Sequence, residues 1–138
     1  MDWKKYTEET VRTAPLLENE FFDQLHMAIG ISTEAGEILD TFKKSFAYGN
    51  NLDIVNVKEE LGDCMWYVSN LMRMLDLSLE DVLQLNVDKL RSRYKYGWSK
   101  EEANNRDLNK ERNILQGTTQ LELFDGSMEI EPNLHTEK

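Results

Sequence analysis

The sequence predicts an all-α fold, a helical bundle of about four to five helices followed by a flexible C-terminal tail. Three observations predict it. Apolar residues recur at intervals of three and four from Asp2 to about Leu115, the period that gathers them on one face of an α-helix. Alternating β-branched runs, which would mark strands, are few. The two prolines, Pro15 and Pro132, leave the long stretch between them free of the residue that most strongly interrupts a helix.

The elements follow in order. A short first helix over about residues 2–14 is expected to stop at Pro15. A long second helix over about residues 18–46 carries Phe21, Phe22, Leu25, Ile29, Ile38, Leu39, Phe42 and Phe46 at helical spacing. Gly49-Asn50-Asn51 then signals a turn. A third helix over about residues 54–75 places Ile54, Val57, Leu61, Met65, Val68, Met72 and Leu75 on one face. Ser78, with Asp81 three residues on, opens a fourth helix near residues 79–94. Gly97 closes that region, and Ser99 with Glu102 forms a capping box for a fifth, polar helix reaching about residue 115. Beyond Gln116 the periodicity ends. Gly117, Thr118, Thr119, Gly126 and Pro132 stand among scattered acids, so residues 1–115 are read as the domain and 116–138 as a flexible acidic tail.

Composition narrows the function. A length of 138 residues suits one domain with an appendage. No basic-then-apolar leader opens the chain, and no apolar run approaches the roughly 20 residues that span a bilayer. The single cysteine, Cys64, cannot close an internal disulfide, so a reducing, cytoplasmic setting is expected. A net charge of −10 argues against direct binding to a nucleic-acid polymer, which requires clustered cations to displace counterions. It leaves a single nucleotide open, because a bound Mg²⁺ brings its own charge to the phosphates.

The chemistry concentrates in carboxylates. Glu34 and Glu37 lie three apart on the second helix; Glu60 and Asp63 do the same on the third, followed by Tyr67 and Asn70 along one stripe. Residues three apart sit side by side on a helix, and a short turn makes consecutive helices antiparallel neighbours. The two pairs are therefore expected to face each other. Four acids forced together repel, and a divalent cation removes that repulsion. An all-oxygen donor set without His or Cys favours Mg²⁺, with Mn²⁺ possible, over zinc or di-iron. A solvated acidic face is the alternative reading of either pair alone.

Glu34-Ala35-Gly36-Glu37 followed by Glu60-Leu61-Gly62-Asp63 resembles the tandem acidic signature of the MazG-like nucleotide pyrophosphohydrolases, within the all-α NTP pyrophosphatase superfamily. The likeness runs upstream through Leu25-His26-Met27-Ala28-Ile29-Gly30 and downstream through Trp66-Tyr67 to the stretch from Asn86 to Tyr94. Asn105-Arg106-Asp107 and Glu111-Arg112 resemble the last helix of shorter phage and bacterial members. The resemblance implies a helical homodimer or homotetramer. It also implies Mg²⁺-dependent cleavage of a (d)NTP to (d)NMP and pyrophosphate, for house-cleaning or nucleotide-pool control. Glu34, Glu37, Glu60 and Asp63 would be catalytic metal ligands, one of them or a neighbouring Glu helping to activate water. Lys89 and Arg93 match basic positions near the phosphates, flanked by Asn86 and Tyr94. Thr33 stands where many members carry a further Glu, and Lys95 where Pro often follows Arg-Tyr.

Three side chains remain open between two roles, and a fourth reads plainly. Lys44 could reach a phosphate or pair with Asp40. His26 could touch the base or sugar, or be a satisfied core histidine. Tyr67 could bond a ligand carboxylate or the nucleotide. Cys64, among apolar neighbours, reads as inert packing. In the tail, Gln120-Leu121-Glu122-Leu123-Phe124 resembles the peptide by which bacterial polymerases and repair proteins dock on the DNA sliding clamp. It could instead pack back on this protein. A non-catalytic metal- or nucleotide-binding adaptor recruited through that tail is the alternative to an enzyme.

Overall fold

The computed structural model describes residues 1–17 and 19–117. All regular structure among them is helical: α1 (Trp3–Val11), α2 (Glu20–Tyr48), α3 (Ile54–Met74), α4 (Leu79–Arg93), α5 (Lys100–Asn104) and α6 (Leu108–Leu115). The clamp-like peptide from Gln120 to Phe124 lies outside the described residues. The chain divides into two compact units, Met1–Leu79 and a second beginning at Glu80.

In the first unit each helix start is written in the sequence. Asp2 caps α1 by accepting from the Lys5 amide, Asn19 caps α2 through Phe22, and Asp53 caps α3 through Val55 and Asn56. These side chains replace partners that the first turn of a helix lacks. Gly49 closes α2 with a φ of 72°, a left-handed conformation that glycine adopts without a Cβ penalty.

The α2–α3 hairpin keeps one antiparallel register along its seam. Thr41 bonds Asn56 near the turn, and further along the ring of Tyr67 lies against Gly30. A Cβ added at Gly30 would stand 2.1 Å from Tyr67 Cε1, so the absent side chain is what lets the two helices meet there. The same register sets Glu37 level with Glu60, Glu34 with Asp63, and Met27 with Asn70.

Hydroxyl groups carry much of the α1–α3 contact. Thr10 and Ser69 share a hydrogen bond of 3.1 Å, Ser69 also bonds Thr7 at 3.2 Å, and Trp66 Nε1 donates to Thr13 at 2.8 Å. Tyr6 donates to the Gly62 carbonyl at 3.3 Å. Buried apolar side chains are few by comparison: Met27, Cys64 and Met72.

In the second unit the polar helix expected to run unbroken to residue 115 divides into α5 and α6. The sequence at the break explains it. Asn105 ends α5, and Asp107 turns its carboxylate to the Lys110 amide and caps α6; such short polar side chains compete with the helical backbone for its own hydrogen bonds. Ser99 caps α5 as expected, while Glu102 reaches the Ser99 hydroxyl and the Lys95 amide. The buried Glu111 carboxylate takes two bonds from Arg93, at 2.9 and 2.7 Å, and two from Arg106, at 3.3 and 2.7 Å. Those guanidinium groups hold its pKa at about 2 against an ordinary 4.5.

Replacing Glu111 by Gln should therefore lower stability most at neutral pH. The carboxylate's contribution is complete above its unfolded pKa and is lost as pH falls toward the folded value. Thermal unfolding of wild type and Glu111→Gln should converge as pH drops from 5 toward 2; a constant gap across that range would show that charge on Glu111 is not what stabilises the unit.

Candidate metal centre

The register brings three of the four expected acids together. Glu34, Glu37 and Glu60 each offer a carboxylate oxygen within 4.8 Å of the others. Glu60 is buried, Glu34 half-buried and Glu37 exposed, so the group opens to solvent on one side. Asp63 is exposed and stands outside this trio. Its charge still reaches Glu34 within the trio, and also the Tyr6 hydroxyl, whose pKa is raised first by burial and then by Asp63.

Glu60 does not point by chance. Asn56 Nδ2 donates to its Oε1 at 2.6 Å, and Asn56 Oδ1 in turn accepts from the Thr41 hydroxyl, which also bonds the Glu37 carbonyl at 3.1 Å. The relay fixes one oxygen of Glu60, the role that outer partners play at metal sites. Asn56, one turn before Glu60, was the signal missed.

The electrostatics match a site built for a cation. Burial raises the Glu34 pKa, and the charges of Glu37, Asp63 and Glu60 raise it further, together with a hydrogen bond shared with Glu60. Adjacent carboxylates accommodate one another by retaining a proton between them, and a divalent ion can replace that proton. Three converging hard oxygen donors suit Mg²⁺ or a similar ion. Cys64 offers no soft alternative: burial first, then Glu34, Glu60 and Asp63, push its thiol pKa up, keeping it protonated.

The remaining candidates fall in three places. Tyr67 lies on Gly30, edge-on to His26 at 5.9 Å and to Trp66 at 4.8 Å between ring centroids. Lys44 pairs with Asp40 at 2.8 Å, alongside Lys43 at 2.9 Å. This exposed pair leaves the ammonium accessible, and such pairs hold weakly. Asn86, Lys89, Arg93 and Tyr94 belong to the second unit. There Arg93 is committed to Glu111 and sits over the Tyr94 ring at 5.6 Å, while Asn86 is exposed and Lys89 half-buried.

The family described as the MazG nucleotide pyrophosphohydrolase domain matches residues 22–98, which contain all four acids. The chain is also similar to the Gene 37 protein of Mycobacterium phage L5, with 37% identity over 99 residues, covering 67% of this chain and 71% of that one. No solved structure matches the sequence significantly. Among the described residues, no helix is long and apolar enough to cross a membrane.

Added Mg²⁺ should raise the melting temperature of the wild-type protein in a saturable way. Glu60→Gln should abolish that rise. Asn56→Ala keeps all three acids and should weaken the apparent Mg²⁺ affinity by about tenfold or more, as loss of an outer partner does. An unaltered Mg²⁺ titration in Asn56→Ala would remove the relay from the site.

Proposed function

The chain belongs to the MazG nucleotide pyrophosphohydrolase family, and from that premise we propose that it hydrolyses a nucleoside triphosphate to the monophosphate and pyrophosphate, using Mg²⁺ held by Glu34, Glu37 and Glu60 with Asp63 at the rim. The observation that carries the reading is the convergence of three carboxylates within 4.8 Å, inside the region that matches the family. Mn²⁺ could substitute, since it accepts the same oxygen donors. The cytoplasm, where nucleoside triphosphates and Mg²⁺ are abundant, is the setting that fits.

In this reaction water attacks the α-phosphorus, a new P–O bond forms, and the bond to the bridging α–β oxygen breaks as pyrophosphate departs. The bound cation supplies positive charge to the phosphate oxygens. The protein's own residues do the rest. Asn56 and Thr41 hold Glu60 in one orientation, so the donor set is prepared before substrate arrives. One of the four acids, or a Glu beside them, would accept the proton that the attacking water gives up. Lys44 is positioned to leave Asp40 for a phosphate.

The surface supports assembly with a second copy, as a homodimer or homotetramer. Leu39, Phe42 and Phe46 of α2 and Ile54 and Val55 of α3 gather near the α2–α3 turn, with Phe46 93% and Val55 77% exposed. Large apolar side chains left this exposed favour an interaction surface, and symmetric self-association is the commonest way to cover one. Sedimentation of the wild type should give a dimer or larger, and Leu39→Glu/Phe46→Glu a monomer. A monomeric wild type at high concentration removes the proposal.

Pyrophosphate release from a panel of NTPs and dNTPs with Mg²⁺ tests the chemistry. Glu60→Gln and Glu34→Gln should each lower kcat by at least about a hundredfold while circular dichroism stays helical. Turnover that survives both substitutions would refute this centre as the site of reaction. A wild type that binds nucleotide and never releases pyrophosphate would favour a binding protein over an enzyme.

A further inference from the structure

Two buried polar atoms beyond the acids lack partners, and both lie at one level of the α2–α3 seam. Asn70 is fully buried, and its Oδ1 has no hydrogen-bond partner among the described residues. Its amide cannot simply turn over, because Nδ2 already donates to the Trp66 carbonyl at 3.1 Å. His26 Nδ1 is likewise buried without a partner. The register that sets Gly30 against Tyr67 places Asn70 opposite Met27, the neighbour of His26. A native seam seldom leaves two such groups unsatisfied at one place, and each such group calls for an explanation.

We propose that this level is the nucleobase subsite, with Asn70 Oδ1 and His26 Nδ1 reading the hydrogen-bonding edge of the substrate's base; the inference rests on the nucleotide reading of the acidic centre. A carbonyl oxygen accepts and an imidazole N–H donates, which complements the donor and acceptor that lie side by side on the pairing edge of a nucleobase. Position agrees with the role. Eight residues of α2 separate His26 from Glu34, about 12 Å along the axis, a separation that lets one nucleotide put its phosphates on the acids and its base beside His26. Tyr67 stands between the two levels with its ring against Gly30. Among the described residues, His26 is also the polar side chain lining a shallow apolar hollow of about 390 Å³, with Leu17, Phe22, Leu25 and Ile29. Such a hollow takes the flat face of a base while a polar atom fixes its edge.

Asn70→Leu and His26→Phe test this. The first replaces an amide by an apolar group of similar volume and the second keeps an aromatic ring. Each is compared with wild type for kcat and KM on the four dNTPs and on inorganic tripolyphosphate, which has phosphates and no base. Wild type should prefer particular bases. In each variant the ratio of best to worst kcat/KM should fall at least about tenfold, through KM, because a site built to bond a polar edge discriminates through that bond. Tripolyphosphate, which has no base to bond, should lose less than the preferred dNTP in each variant. If Asn70→Leu does not fold, His26→Phe decides alone. Base ratios that stay within about twofold of wild type, with a raised melting temperature in Asn70→Leu, would overturn the proposal and leave the seam holding a buried water. A wild type that hydrolyses all four dNTPs and tripolyphosphate equally overturns the base subsite and spares the pyrophosphohydrolase reading. A wild type that cleaves none of them overturns both.

Discussion

Three carboxylates held within 4.8 Å of one another on two packed helices are the constraint on which the rest of the first unit depends. Like charges at that separation oppose folding, so the hairpin must be held by forces that do not rely on the acids. It is held at both ends of the cluster. Thr41 and Asn56 bond on the turn side, and on the other side Gly30 lets the Tyr67 ring close on α2. The acids lie between these two fastenings and cannot separate without breaking one of them.

Much of this was legible in the sequence, and the reason is local. Helix type, the Glu-x-x-acid spacing and the antiparallel pairing follow from periodicity and a five-residue turn, all within reach of pattern reading. What escaped it was decided by contacts between distant positions. Arg93 reads as a free cation beside a phosphate, yet its partner is Glu111, eighteen residues on. Asp63 has the spacing of a ligand, but helical spacing fixes only a direction around the axis. Its carboxylate is not within the 4.8 Å group, and its charge acts on Glu34 and on Tyr6 of α1. The break between α5 and α6 was readable in principle from Asp107, an N-cap residue inside a run that looked continuous.

The first unit also divides its polar groups by purpose. On the α1–α3 side, Thr7, Thr10, Thr13 and Ser69 satisfy one another and Trp66, as buried hydroxyls must. On the α2–α3 seam the polar groups form a series with different degrees of satisfaction. Thr41, Asn56 and Glu60 are bonded to one another, and Asn70 and His26 each keep an atom without a partner among the described residues.

The arrangement of the acids also separates two roles that their shared chemistry would blur. Glu60 is buried, with one oxygen already taken by Asn56, so it is restrained in direction and shielded from water. That is the condition of a ligand, since an oriented oxygen costs no reorganisation when an ion binds. Glu34 is half-buried, with its pKa raised by burial and by three neighbouring charges. A carboxylate in that state holds a proton more readily than an isolated one. Two residues of one chemical type are thus given different surroundings by the hydrogen bonds and charges around them, and the pairing register of α2 and α3 sets those surroundings.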